Sequence, residues 1–174
     1  KFTQVGANFI MWREHFPTLW QLWNSKWGYF YSSEGTINDG MSFMLGYAQW
    51  AILALSVVFI IYRLIQSKFN LKLFVKENIW ILIFFLGTLF TLYLILPWSI
   101  PVWEKIRLLQ EIQFSWRLLG VAVFTIAALF TFILDKIKSK YILVALSIGI
   151  SLFAVVAERN HLLPQPVSAE DVYR

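Results

Sequence analysis

The stretch Ile79-Trp80-Ile81-Leu82-Ile83-Phe84-Phe85-Leu86 is apolar in every direction that a helix can present. A helix at the surface of a water-soluble domain carries one apolar stripe and one polar face, so an all-round apolar helix needs lipid or deep burial around it. Working outward, no charged residue interrupts positions 78–103. The same holds for 40–62, where Ser56 is the only polar residue between Ile52 and Ile61, and for 118–134 and 141–157. A membrane span takes roughly 17–25 such residues at 1.5 Å per residue. The third stretch reaches that length comfortably if Arg117 reaches outward and Phe114 to Trp116 join it. The chain therefore reads as an all-α membrane protein with four transmembrane helices.

Composition agrees. Of 174 residues, 59% are hydrophobic and 14% charged, with a mean hydropathy of +0.63. A soluble domain carries about 25% charged residues, and so apolar a chain could not clothe itself in polar surface. The absence of cysteine removes disulfide and thiolate-metal chemistry. His161 has Glu158 three residues before it, but His15 is remote in sequence, so no metal site is expected.

The +5 net charge is a topology signal. Arg63, Lys68, Lys72 and Lys76 against Glu77 give the loop at 63–77 a charge of +3. Lys136, Lys138 and Lys140 against Asp135 give 135–140 a charge of +2, which completes the total. Short basic loops stay in the cytoplasm, so 63–77 and 135–140 are expected there and the chain is expected to be a multi-pass cell-membrane protein. A nucleic-acid partner is excluded, because the remaining residues, eight basic and eight acidic, are neutral in sum.

The outer segments are rich in rings. Residues 9–31 hold Phe9, Trp12, Phe16, Trp20, Trp23, Trp27, Tyr29, Phe30 and Tyr31. Tryptophan and tyrosine favour the headgroup region, where ring and polar tip are both accommodated. Residues 1–40 thus read as an exoplasmic, aromatic-rich interfacial segment, with Pro17 starting or bending a helix. Residues 41–174 read as the four-helix transmembrane region with a short exoplasmic tail. Between the second and third spans, Pro97 and Pro101 stop one helix and Pro101 suits the first turn of the next. Val102, Ile106 and Leu109 recur at helical spacing opposite Glu104, Arg107 and Glu111, which predicts an exoplasmic amphipathic helix near 101–113. The chain opens on Lys1 with no charged-then-apolar leader before the body, and a piece of a larger polytopic bundle is expected.

Two groups of motifs carry a resemblance. One comprises His15-Phe16-Pro17, Leu22-Trp23-Asn24-Ser25-Lys26-Trp27-Gly28-Tyr29 and Asp39-Gly40-Met41-Ser42-Phe43-Met44-Leu45-Gly46. The other is Leu109-Gln110-Glu111-Ile112-Gln113-Phe114-Ser115-Trp116-Arg117-Leu118-Leu119. Together they resemble bacterial polytopic membrane proteins labelled pyruvoyl-tetrahydropterin-synthase-related, a group that looks related to the GT-C glycosyltransferases. The pattern departs from that group at Phe30, Met44 and Ser115, where glycine, glutamine and proline are expected. The resemblance implies action on polyprenyl-phosphate-linked sugars at the outer face of the membrane. GT-C enzymes usually place a catalytic acid in the first exoplasmic loop, and no catalytic residue is assigned here.

Arg117 stands at the outer end of the third span, where basic residues are disfavoured. A guanidinium there suits a bidentate hold on a lipid phosphate or pyrophosphate; the plain alternative is a snorkelling anchor. Glu34 and Asp39 are carboxylates near the surface, suited to act as base or metal ligand in sugar transfer. The plain alternatives are a loop charge for Glu34 and a cap on the first span for Asp39. His15, beside Arg13 and Glu14, is placed either to titrate near neutral pH or simply to sit at the surface. Arg107 and Glu111 have the spacing of a surface ion pair, and Gln49 inside the first span is expected to bond a neighbouring helix. Ser147-Ile148-Gly149-Ile150-Ser151 offers small residues for close packing.

No glycine-rich phosphate loop or serine–histidine–aspartate set occurs, and no cofactor is expected. The spans hold no charge at depth, which argues against an ion pathway. The expected function is part of a glycosyltransferase-like membrane protein. The alternative is a non-catalytic segment of a transporter or membrane assembly subunit. The expected partners are membrane lipids, a polyprenyl-phosphate sugar and further transmembrane helices of the same or another chain.

Overall fold

A computed structural model of the chain describes residues 12–13, 15–24, 42–157 and 159. Among them every regular element is helical. Four helices are long and apolar enough to cross a membrane: α2 (Tyr47–Gln66), α3 (Leu71–Ile95), α6 (Leu119–Asp135, extended to Ser115 by a 3₁₀ turn) and α7 (Lys140–Ala157). Three short helices lie between or before them: α1 (Leu19–Trp23), α4 (Ile100–Lys105) and α5 (Arg107–Gln110). The all-α membrane fold stands. One end of the bundle gathers α1, α4, α5 and most of the described tryptophans, and is called the aromatic end below. The other carries the α2–α3 and α6–α7 turns and is called the basic end.

The span limits shift for identifiable reasons. The first span starts at Tyr47, seven residues later than expected, because Gly46 (φ +103°) turns the chain into the helix. Asp39, proposed as its cap, lies outside the described residues, and Gly46 occupies the cap position. The second span begins at Leu71, well before the charge-free stretch, with Asn70 accepting from the Leu73 N–H at 3.2 Å. Lys72, Lys76 and Glu77 are helical and exposed at the basic end. It ends at Ile95 rather than 103, since Pro97 pushes Leu96 into extended backbone (φ −87°, ψ 154°). Pro101 does sit in the first turn of α4.

The amphipathic helix expected near 101–113 is replaced by two short helices. Ile106 is extended (φ −114°, ψ 95°) and divides α4 from α5. The break turns the apolar side round: Trp103 is wholly buried, whereas Ile106 and Leu108 face outward.

Packing follows helical spacing. Ala122, Ile126, Leu129 and Ile133 form one stripe of α6 and meet Ile81, Leu92 and Ile95 of α3 and Ile52 and Leu53 of α2. Midway along, the hydroxyls of Thr88 and Thr125 lie 2.9 Å apart. The carbonyls of Phe84 and Ala122 stand 2.7 and 3.0 Å from these hydroxyls, so one threonine bonds its partner while the other bonds its own helix. Trp80 and Phe84 stack on Phe132 nearer the basic end.

Arg63 clasps the basic end of α2 to α3. It donates to Asn78 Oδ1 (3.2 Å), Gln66 Oε1 (2.7 Å) and Glu77 Oε2 (2.7 Å). Buried Asn78 also donates to the Phe74 carbonyl at 2.8 Å, four residues back. Its backbone leaves the helical range (φ −123°, ψ 21°), and the side-chain bond to that carbonyl accounts for the kink.

α7 stands apart: none of its residues is buried, and it rests on α2. Gly149 meets nothing within 4 Å of a Cβ position, so the small-residue run it belongs to is open. Gln49 likewise does not act as expected, because its side chain folds back over Gly46 at the start of its own helix.

Candidate functional site

The aromatic end is built on the carbonyls that α3 leaves behind. A helix ends with acceptors that lack an intrahelical partner, and here three side chains supply donors. Trp103 Nε1 donates to the Leu94 carbonyl at 3.0 Å. Ser99 Oγ lies 2.9 Å from the same oxygen and 2.8 Å from that of Leu96. Ser115 Oγ lies 3.0 Å from the Ile95 carbonyl and 3.3 Å from that of His15. Ser115 thereby joins α3, the start of α6 and the amino-terminal segment. The serine noted as a departure from the resembled pattern has a structural task.

Trp103 also anchors that segment. Trp12 stacks on it with ring centres 5.9 Å apart, and Phe16 meets it edge-on at 5.4 Å. Arg13 forms an exposed ion pair with Glu104 of α4 and lies over the Trp12 ring. Next comes α1, closed by a capping box in which Gln21 N–H donates to Thr18 Oγ1 and Thr18 N–H to Gln21 Oε1. The Leu22 carbonyl accepts from Leu45 N–H (3.0 Å) and Trp50 Nε1 (3.2 Å), fixing α1 against the first turn of α2.

Of the four candidate residues, two are described and they converge on one ring. His15 meets Phe114 edge-on with ring centres 5.1 Å apart. The Arg117 guanidinium carbon lies 5.2 Å from the centre of the same ring. Gln113 makes this possible: its φ of +69° reverses the chain after α5 and presents Phe114. A non-glycine residue in that region is uncommon; Lys68 and Phe69, in the α2–α3 turn, share it. Phe114 in turn stacks on Trp116 at 5.3 Å, and Trp116 leans on Phe43.

Arg117 is exposed and donates one bond, to the Ile112 carbonyl at 3.0 Å. It enters no ion pair among the described residues. A guanidinium has five N–H donors, so most of its fork is available to an anion. The Trp116 indole N–H is buried with no acceptor among the described residues. Glu34 and Asp39 lie outside the described residues, and no group of three metal-ligating side chains occurs among those described. Arg107 and Glu111 form no ion pair there either; Glu111 closes α5 through its backbone N–H.

Sequence reasoning missed Phe114 as the meeting point of His15 and Arg117, and Trp103 as a buried anchor. No family model matches the chain, and no curated protein or solved structure matches it.

Proposed function

We propose that the chain is the lipid-phosphate-binding part of a glycosyltransferase-like protein of the cell membrane, acting on polyprenyl-phosphate-linked sugars at the outer face. In this reading the basic stretches 63–77 and 135–140, helix ends and the turns between them, are cytoplasmic and the aromatic end is exoplasmic. The observation that carries it is Arg117, exposed at the aromatic end, free of any ion pair among the described residues, and steadied by the Ile112 carbonyl and the Phe114 face. A guanidinium so oriented loses little freedom on binding and offers paired donors to a phosphate.

The test is polyprenyl-phosphate binding by the intact protein and its Arg117→Lys and Arg117→Ala variants. Charged hydrogen bonds contribute roughly 1.5–3 kcal/mol, so alanine should weaken binding about tenfold or more, at roughly 1.4 kcal/mol per decade. Lysine keeps the charge without the planar fork and should rescue only in part. Full binding by the lysine variant would make Arg117 a snorkelling anchor and remove the support for this function.

A second reading, a non-catalytic segment of a transporter or assembly subunit, draws on α7. A spanning helix with no buried residue has a face left for a further helix.

A further inference from the structure

At the basic end the charges are unevenly matched. Glu77 is held by Arg63 at 2.7 Å, so that pair cancels. Lys72, Lys76 and Lys136 are exposed and enter no ion pair among the described residues. Asp135, the other carboxylate of the two basic stretches, is outnumbered by Lys136, Lys138 and Lys140 in its own.

Helical spacing gathers two of these lysines at one seam. Trp80 of α3 stacks on Phe132 of α6 with ring centres 6.1 Å apart. Lys76 precedes Trp80 by four residues and Lys136 follows Phe132 by four, and residues four apart share a helix face. α3 leaves the basic end and α6 returns to it, so both lysines lie one turn beyond the stacked rings on the same side. Lys72 continues the stripe a turn further along α3. The kink at Asn78 does not rotate the stripe away, because φ falls and ψ rises by nearly equal amounts from helical values of about −63° and −42°. Lys136 closes α6 with near-helical backbone (φ −81°, ψ −8°).

Depth identifies what the lysines meet. Trp80 is 57% exposed although its helix spans the membrane, so its ring faces lipid. A bilayer of roughly 40–45 Å around a hydrocarbon core of roughly 30 Å leaves a headgroup layer of about 5–8 Å on each side. Four residues of helix rise about 6 Å. With Trp80 at the boundary that tryptophan favours, Lys76 and Lys136 reach the level of the phosphates. Two unneutralised ammonium groups above an exposed ring match a molecule that is anionic at the top and apolar below. A free anion would use the lysines alone.

We propose that the α3–α6 seam at the basic end is a binding site for one anionic phospholipid, its phosphate between Lys76 and Lys136 and its glycerol and upper acyl chain against Trp80. Lysine holds phosphate as a point charge, and basic pockets between transmembrane helices take anionic headgroups. The site lies at the opposite end from Arg117 and is independent of the transferase reading.

The experiment reconstitutes the intact protein in vesicles of phosphatidylcholine with a minor share of phosphatidylglycerol, in which an equal amount of one or the other lipid carries bromines high on an acyl chain. The Trp80 signal is the difference in fluorescence between the wild type and Trp80→Phe. Brominated phosphatidylglycerol should quench it with an apparent affinity at least about fivefold that of brominated phosphatidylcholine, a difference of roughly 1 kcal/mol. Trp98, 66% exposed at the aromatic end and read through Trp98→Phe, should show no such preference. Lys76→Gln combined with Lys136→Gln should bring the preference at Trp80 close to unity. Quenching there by phosphatidylcholine should persist, which reports that the bundle is intact, and the matching pair of arginine substitutions should keep the preference. Lys138→Gln with Lys140→Gln removes the same charge a few residues away and should leave most of it. No preference in the wild type, or one that survives loss of Lys76 and Lys136, would overturn the proposal. Equal losses in the two glutamine pairs would reduce the seam to diffuse attraction by the whole basic surface and overturn it too. So would abolition of the preference by inorganic phosphate at constant ionic strength, which would mark a site for free anions.

Discussion

The hydroxyls of Thr88 and Thr125 meet at 2.9 Å across the α3–α6 interface, the most extensive helix contact in the bundle. Interhelical polar bonds in membranes average about 0.6 kcal/mol, with a maximum near 1.7. Thr88→Val and Thr125→Val should each lower stability within that range in a bilayer unfolding assay, and the double variant should cost little more than either alone. Fully additive losses would show that the hydroxyls serve only their own helices.

Trp103 is wholly buried between Trp12 and Phe16. The difference in fluorescence between the wild type and Trp103→Phe should be blue-shifted and insensitive to lipids brominated at either shallow or deep positions. Quenching by the shallow set would place Trp103 at the lipid interface and overturn its burial. Trp103→Ala should cost about 3–5 kcal/mol, as expected for removing a large buried ring.

Trp116 offers the opposite expectation. Its buried N–H has no acceptor among the described residues, and an unmet donor of this kind costs about 1–3 kcal/mol. Trp116→Phe should therefore be neutral or stabilising in a thermal-unfolding measurement. A loss above about 2 kcal/mol would overturn this expectation and mean that the indole's contacts with Phe43 and Phe114, or a bond to its N–H, outweigh the unmet donor.

The orientation is open to direct labelling, since the chain has no cysteine of its own. Single cysteines at Ser67 and Ser139, in the basic turns, should be shielded from impermeant thiol reagents in intact cells, while one at exposed Leu108 should react. Reaction at the first pair with protection at Leu108 would invert the topology.

How much of this was legible beforehand differs residue by residue. Ile79 to Leu86 announced a membrane helix because lipid is the only solvent for such a surface. Lys72, Lys76 and Glu77 concealed the start of that helix, since a search for charge-free runs discards the very residues that carry it into the headgroups. The single helix expected near 101–113 fails for a geometric reason: its spacing runs across Ile106, whose extended backbone resets the phase and leaves Trp103 buried. The approach of His15 and Arg117 to one ring hinges on Gln113, and nothing in a glutamine announces a positive φ. The seam that joins Lys76 to Lys136 arises from where α6 docks on α3, a tertiary fact with no local signature.

The Arg63 clasp has a consequence for assembly. Arg63, Gln66, Glu77 and Asn78 all belong to α2, α3 and the turn between them, within sixteen consecutive residues. Their polar groups are satisfied as soon as those two helices exist. The pair can therefore enter the bilayer together as a helical hairpin, with Arg63 and Glu77 already paired. The contact of Thr88 with Thr125, 37 residues later, can form only once α6 has followed that hairpin.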